Sequence, residues 1–351
     1  MEGLRAENSP EGNGLITLKD IAAEAGVSVM TVSNVIRKNY ARVSPATVER
    51  VQKIIDKYDY VPNMAARSLS GKNSRIIALL LPIWYERTDS LLFNPYVGQL
   101  VGSLDMLIRE KGYYSMLCSF NQVEQVIGFQ RNWQIDGSIM VLPHVDSVTR
   151  GVVEQTKTPL VVIDRRFEDI PMNAVMLDDR KGGYLATKYL LERGHRRIGF
   201  ACPGLADSSV LQDRYRGYRE ALHEAGLEPD ERWLFPRHHQ QQGGEIIAHA
   251  LMEMGERPTG IVSTEDLIAC GIIQTLHKAG WSLPKDLSVV GFDDSMPAQL
   301  ISPALTTIHQ DIPQKAKDAF DLLMAAIGGE KEAHTRTLDV SIAERESVAN
   351  L

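Results

Sequence analysis

The chain has no apolar run long enough to cross a bilayer: its longest, Ile76 to Leu81, falls far short of the ~20 residues a spanning helix needs. Its first residues, Met1 to Gly14, are polar and lack the apolar stretch of a secretory signal. Cysteine is scarce as well. Cys118, Cys202 and Cys270 are far apart and show neither CxxC nor His/Cys ligand spacing, which fits reduced, mostly buried thiols in a cytoplasm and not a disulfide framework or a zinc site. No internal repeat or low-complexity tract is visible; Gln240-Gln241-Gln242 is too short to count. These absences set aside membrane, secreted and metal-stapled classes, and no metal or cofactor is expected. With 44% apolar and 24% charged residues, the composition is that of a folded chain.

What is present is unevenly charged. The 351 residues carry a net −7 and are enough for two or three domains. From Ile16 to Arg75, ten Lys/Arg face five acids, a net of +5, while the tail before it is −2 and the remainder −10. A small basic head therefore precedes a large acidic body, an asymmetry that points to a polyanionic partner for the head.

The head reads as short helices. Thr17 is placed to cap Leu18–Ala25, with Asp20 where the helix dipole favours an anion, and Gly26 provides the stop. Ser28 caps a second helix, Val29–Ile36. Ser44-Pro45 opens a third, in which Val48, Val51, Ile54 and Ile55 share a face. Ile21, Ala22 and Ala25 with Val32, Val35 and Ile36 have the spacing of two helices around one small core, a helix-turn-helix pattern. After Val61-Pro62, Asn63 is placed to cap one or two further turns, Met64–Leu69, before Gly71–Ser74 breaks them.

Beyond Arg75, continuous apolar strands alternate with amphipathic helices. The strands are expected at 76–81, 115–118, 137–141, 160–163, 174–177, 198–201, 260–263 and 288–291. Strands apolar on both faces imply parallel sheets covered by helices, and this many suit two lobes better than one sheet.

These blocks resemble the LacI/GalR family of bacterial transcription regulators. The head carries the likeness in Thr17–Ala22, Ala25–Ser28, Thr31–Ser33, Tyr60–Asn63 and Ala66–Leu69. The body carries it in Val162–Arg165, Gly182-Gly183, Arg193–Ile198, Val289–Asp294, Leu305–Ile308 and Arg345–Ser347. One helix-turn-helix window alone has many false positives; this many blocks in order does not. The resemblance implies a small all-α helix-turn-helix head plus an α/β two-lobed, periplasmic-binding-protein-like body with parallel sheets. Residues 1–15 would be a disordered tail, 16–61 the DNA-binding domain, 62–74 the hinge helix and linker, and 75–351 the effector-binding and dimerisation core. Within that core, lobe one would take about 75–164 and 310–338, and lobe two 165–309 and 339–351.

In the second helix, Val29, Met30, Ser33 and Asn34 are left facing outward once the core has claimed its share. The resemblance places Val29, Met30 and Asn34 at base-reading positions. Asn can pair with adenine, whereas Val and Met reach only thymine methyls; the bland alternative makes Val29 and Met30 mere helix starters. Thr17, Ser28, Thr31 and Ser33 would bond phosphates together with helix N-terminal amides. Asn63, Ala66, Arg67 and Leu69 belong to the implied hinge helix, too short to stay folded alone, with Leu69 as a minor-groove wedge. An ordinary linker is the alternative.

Asp164 and Asp293 follow strands, where α/β proteins gather ligands. Two such carboxylates can accept hydroxyl hydrogens from a sugar. By resemblance Arg214 adds a donor fork, Asn94 and Tyr96 lie in the Asn-Pro-aromatic loop after the first strand, and His239 falls near an aromatic stacking position. Glu265 stands where the family usually has Asn, adding charge able to accept hydroxyls or hold an amine. The long loop Pro82–Phe93 brings Trp84, Tyr85 and Phe93 as stacking groups or a local lid core.

The implied protein is a cytoplasmic, nucleoid-associated homodimeric repressor of a near-palindromic operator. Its effector would be sugar-like, the alternatives being a nucleobase or nucleoside, or a protein co-effector. An enzyme is less favoured: GxGxxG after a first strand, the P-loop motif and GxSxG are all missing, and Asp164 with Asp293 would have to serve as a glycosidase pair. Only four residues follow Arg345–Ser347, which leaves no room for a tetramerising heptad helix and favours a dimer.

Overall fold

The computed structural model describes residues 16–36, 38–60, 74–83, 91–142, 147–167, 169–205, 209–236 and 240–351. The expected tail and nearly all of the expected hinge segment lie outside the described residues, as do Trp84, Tyr85 and His239. The chain divides into two compact units, Met1–Ser74 and Arg75–Leu351.

In the head, α1 (Leu18–Ala25), α2 (Val29–Ile36) and α3 (Pro45–Lys57) surround a core of Ile21, Ala22, Ala25, Val32, Val35, Val51 and Ile54. Gly26 ends α1 at φ 60°, a left-handed conformation that a Cβ would disfavour. Ser44 caps α3 by accepting from the Thr47 amide, and Pro45 occupies the first turn, where no amide donor is needed.

The body runs β1 (Ile76–Pro82), α4 (Pro95–Glu110), β2 (Tyr114–Phe120), α5 (Val123–Asn132), β3 (Gly137–Val141), α6 (Ser147–Gln155), β4 (Leu160–Ile163) and β5 (Asn173–Leu177). It continues through α7 (Asp179–Glu192), β6 (Ile198–Cys202), α8 (Ser209–Glu224), β7 (Leu234–Pro236), α9 (Gln240–Glu253), β8 (Gly260–Ser263), α10 (Asp266–Lys278) and β9 (Ser288–Asp293). Then come α11 (Met296–Leu300), β10 (Thr306–His309), α12 (Ile312–Ile327), β11 (Thr335–Leu338) and β12 (Ser341–Ala343).

The strands form two six-stranded sheets, ordered β11-β5-β4-β3-β1-β2 and β12-β10-β9-β8-β6-β7. Among the described residues, every pairing is parallel except that of β12 with β10. The two orders are the same once β1 is matched with β6, β2 with β7, β3 with β8, β4 with β9, β5 with β10 and β11 with β12.

One expected boundary moves. The stretch 165–177 was assigned to lobe two, yet β5 pairs with β4 on one side and β11 on the other. Its backbone groups complete the first sheet, so the chain leaves lobe one after Leu177. It crosses again after β10 and after β11.

Packing between α7 and α8 depends on glycine. A Cβ on Gly183 would lie 1.9 Å from the Arg214 carbonyl oxygen, and one on Gly217 1.9 Å from that of Arg180. The helices therefore meet backbone to backbone, which fixes where Arg214 starts. Cys118 and Cys202 are buried, Cys270 is half-buried, and all three are free.

Candidate functional site

The head presents its outward face through capping as much as through core packing. Thr17 closes a reciprocal box: its Oγ1 donates to Asp20 Oδ2 at 2.7 Å and accepts from the Asp20 amide at 3.4 Å. The Asp20 carboxyl is held below its usual range by these Thr17 hydrogen bonds. Ser28 Oγ accepts from the Thr31 amide at 3.1 Å and shares a hydrogen bond with Thr31 Oγ1 at 2.9 Å. The hydroxyls of Thr17, Ser28 and Thr31 thus fix helix starts in the unbound head. On α2, Val32 and Val35 are buried, Ser33 and Asn34 half-buried, and Val29 and Met30 are 41% and 64% exposed. Asn63, Ala66, Arg67 and Leu69 lie outside the described residues.

In the body, Asp164 and Asp293 occupy matching places, at the ends of β4 and β9, and both have left-handed backbones at φ 64° and 117°. Non-glycine residues seldom adopt such values outside sites where the surroundings impose them. Asp164 Oδ2 accepts from the Tyr96 hydroxyl, and Oδ1 accepts from Lys315 Nζ at 2.7 Å. Lys315 Nζ also donates to Gln310 Oε1 at 2.7 Å, and Gln310 Nε2 donates to Asp293 Oδ1 at 2.7 Å. The structure therefore brings Tyr96, Asp164 and Asp293 into one network. Lys315 and Gln310, absent from the sequence expectations, link it.

Arg214 is buried beside this network. Its Nε donates to Asp179 Oδ1 at 2.8 Å, its Nη1 donates to the Thr264 carbonyl at 2.5 Å, and its guanidinium lies 3.4 Å from the Phe292 ring centroid. Burial pulls its pKa down, but Asp179, Asp293 and Asp164 outweigh that and hold it above the usual range. Burial lifts the Asp179 carboxyl to about 6 despite Arg214. Asp293 is pushed well above the ordinary carboxylate range, chiefly by burial against the opposing pull of Arg214, with Asp266 and Glu265 adding repulsion. Glu265 is thus electrostatically coupled to Asp293.

Asn94 and the Arg345–Ser347 block have duties in the fold. Asn94 Oδ1 caps α4, accepting from the amides of Tyr96 and Val97 at 3.0 and 3.4 Å. The Arg345–Ser347 block fastens the last segment to the second sheet. Arg345 Nη1 donates to the Leu305 carbonyl at 2.8 Å, and Ser347 Oγ accepts from the Thr306 amide at 2.8 Å. Asp266, missed from the sequence, is a buried hub for the Ser295 amide and hydroxyl and the Thr307 hydroxyl. Phe93 is 73% exposed. Among the described residues, no cluster of His, Cys, Asp or Glu could hold a metal, and no helix is long and apolar enough to cross a membrane.

A hydrophobic-cored helical head with an exposed helix face, joined to a two-sheet body with facing charged strand ends, is the build of a ligand-responsive regulator. Residues 17–63 match the model of bacterial regulatory proteins of the lacI family, and 187–348 match a periplasmic binding protein-like domain. An HTH-type transcriptional repressor PurR from Vibrio atlanticus is 32% identical over 345 residues, 96% of this chain and 100% of that protein. A ribose operon repressor from Haemophilus influenzae is 31% identical, covering 96% and 100%. The solved transcriptional regulator CelR-cellobiose complex superposes with a TM-score of 0.71 at 28% identity, covering 95% of this chain and 99% of that one. The chain belongs to the lacI family of bacterial regulatory proteins. It is a DNA-binding transcriptional regulator under small-molecule control and not an enzyme, which sets aside the glycosidase reading of Asp164 and Asp293.

Proposed function

We propose that this regulator is a cytoplasmic homodimer that represses from a near-palindromic operator and takes a sugar-like effector between its lobes. The observation that carries the effector class is the pair of buried strand-end carboxylates, Asp164 and Asp293, with the Arg214 guanidinium beside them. Acceptors flanking a donor fork suit a ligand rich in hydroxyls. The cellobiose in the CelR structure supports the same class. Tyr96, Asp164, Arg214, Glu265 and Asp293 would contact the effector, together with His239, and Asn94 would shape the loop at Tyr96.

On DNA, Val29 and Met30 would meet thymine methyls and Asn34 an adenine edge, while Thr17, Ser28, Thr31 and Ser33 set register on phosphates. Asn63, Ala66, Arg67 and Leu69 would form the hinge contact in the minor groove. Two-fold proteins read two-fold sites, hence the palindrome.

Titration calorimetry of the full chain against a panel of sugars and nucleobases tests the effector. Heat of binding with a sugar, lost in Asp293→Asn, is the expected result. Binding of nucleobases alone would replace the sugar reading.

A further inference from the structure

Lys315 is a fully buried ammonium, 1% exposed, on a helix that otherwise buries Ile312, Ala316, Ala319, Phe320, Leu322 and Leu323. An apolar side chain of similar length would complete that face without the desolvation a buried ammonium suffers. What it could not do is make hydrogen bonds. Lys315 Nζ has three hydrogens and three partners: Asp164 Oδ1 at 2.7 Å, Gln310 Oε1 at 2.7 Å and the Tyr96 hydroxyl at 3.2 Å.

The partners lie on both sides of a crossing. Asp164 ends a strand of the first sheet, while Gln310 sits in the segment between β10 of the second sheet and α12. Gln310 passes the connection to Asp293 on the second sheet through its amide at 2.7 Å. Every bond in this chain involves an ion or a buried polar group, so none can be dropped without leaving a partner unsatisfied. The line runs unbroken from one lobe's strand end to the other's through protein groups.

We propose that Lys315 is a positioning residue that sets the closure of the two lobes in the unliganded regulator, bridging Asp164 to Asp293 through Gln310. It would do in the free protein what an effector held between the lobes would do by touching both at once. The unliganded chain then has one defined closure, and effector binding works against or with that latch. The inference rests on the regulator reading for its DNA readout, and on an effector held between the lobes for what the latch works with or against.

The test uses the full chain as Lys315→Met and as Lys315→Met/Asp164→Asn. The single variant leaves the Asp164 carboxylate buried without its cation; the double variant leaves no unpaired charge, so it carries the test if the single one fails to fold. With DNA selected from a random pool by the wild-type chain, ligand-free affinity of the double variant should change on the order of tenfold. Amide exchange across residues 306–316 should rise by a similar factor. A double variant that keeps both wild-type operator affinity and wild-type exchange overturns the proposal and makes Lys315 a packing residue. If the wild-type chain selects no DNA, the regulator reading fails, and the exchange measurement alone decides for or against the latch.

Discussion

The head and the body bury different things. The head's core is aliphatic, and among the described residues of 16–60 no polar side chain is buried. The body buries Lys315, Arg214, Arg165 and the carboxylates Asp164, Asp179, Asp266 and Asp293. A core that only has to hold three short helices together gains nothing from interior charge, and all its chemistry can face outward. A region that must recognise a ligand from within has to accept the desolvation of charged groups and satisfy them locally. The location of interior charge thus separates the part that presents a surface from the part that encloses a site.

The sharpest way to break this contrast is to damage one core and watch the other. Ile21→Ala removes a fully buried side chain from the head and should cost about 2–5 kcal/mol there. A unit this small has little stability to spare, so specific DNA binding should vanish in a titration. The calorimetric unfolding midpoint of the body should stay where it is, since the two units are separately compact. A matching fall of the body's midpoint would show that the two cores are not independent.

The interior charge of the body yields a second test. Burial lifts Asp266 to about 6, against hydrogen bonds from Thr307 and Ser295 that lower it. Its folded pKa exceeds the ordinary carboxylate value, so between about pH 4 and pH 6 the folded state holds the proton more firmly than the unfolded one. Stability contributed by this group is present at the low end of that window and lost as pH rises through about 6. Thermal unfolding from pH 4.5 to 7 should show Asp266→Asn losing less stability than wild type over that rise. Parallel pH curves would place the proton elsewhere.

The mildest perturbation sharpens the contrast from the head's surface. Met30→Ala trims a side chain that is 64% exposed, so unfolding should shift by no more than about 0.5 kcal/mol. Operator affinity should fall several-fold, and selected sites should relax at the base pair Met30 faces. Unaltered sequence preference in a repeated selection would remove Met30 from the reading face.

Much of this was legible in the residues themselves. The head's helices followed from Thr17, Gly26 and Ser44-Pro45, and the longer apolar strands from their continuous hydrophobicity. The strands that escaped are short or polar: β7 is Leu234–Pro236, β12 is Ser341–Ala343, and β11 is largely exposed. β10, Thr306–His309, carries two threonines whose burial depends on the neighbouring β9 and not on their own polarity. The lobe boundary was misplaced because β5 completes the first sheet by pairing with β4 on one side and, on the other, with β11, which is remote in the chain. At the site, Asp164 and Asp293 were visible because they end strands, whereas Lys315 was not singled out. Its register gave it away: it follows Ile312 by three residues and precedes Ala319 and Leu322 by four and seven, all on the buried face. Asp179 is a first-turn acid of α7, and nothing local marks it as the partner of Arg214.

The matched strand order of the two sheets puts those aspartates at corresponding places. β4 and β9 hold the same rank, and Asp164 and Asp293 stand at their ends. Lys315 bonds only the first of the two carboxylates directly, and the second meets the Gln310 amide, so a symmetrical molecule entering there would still meet two unlike walls.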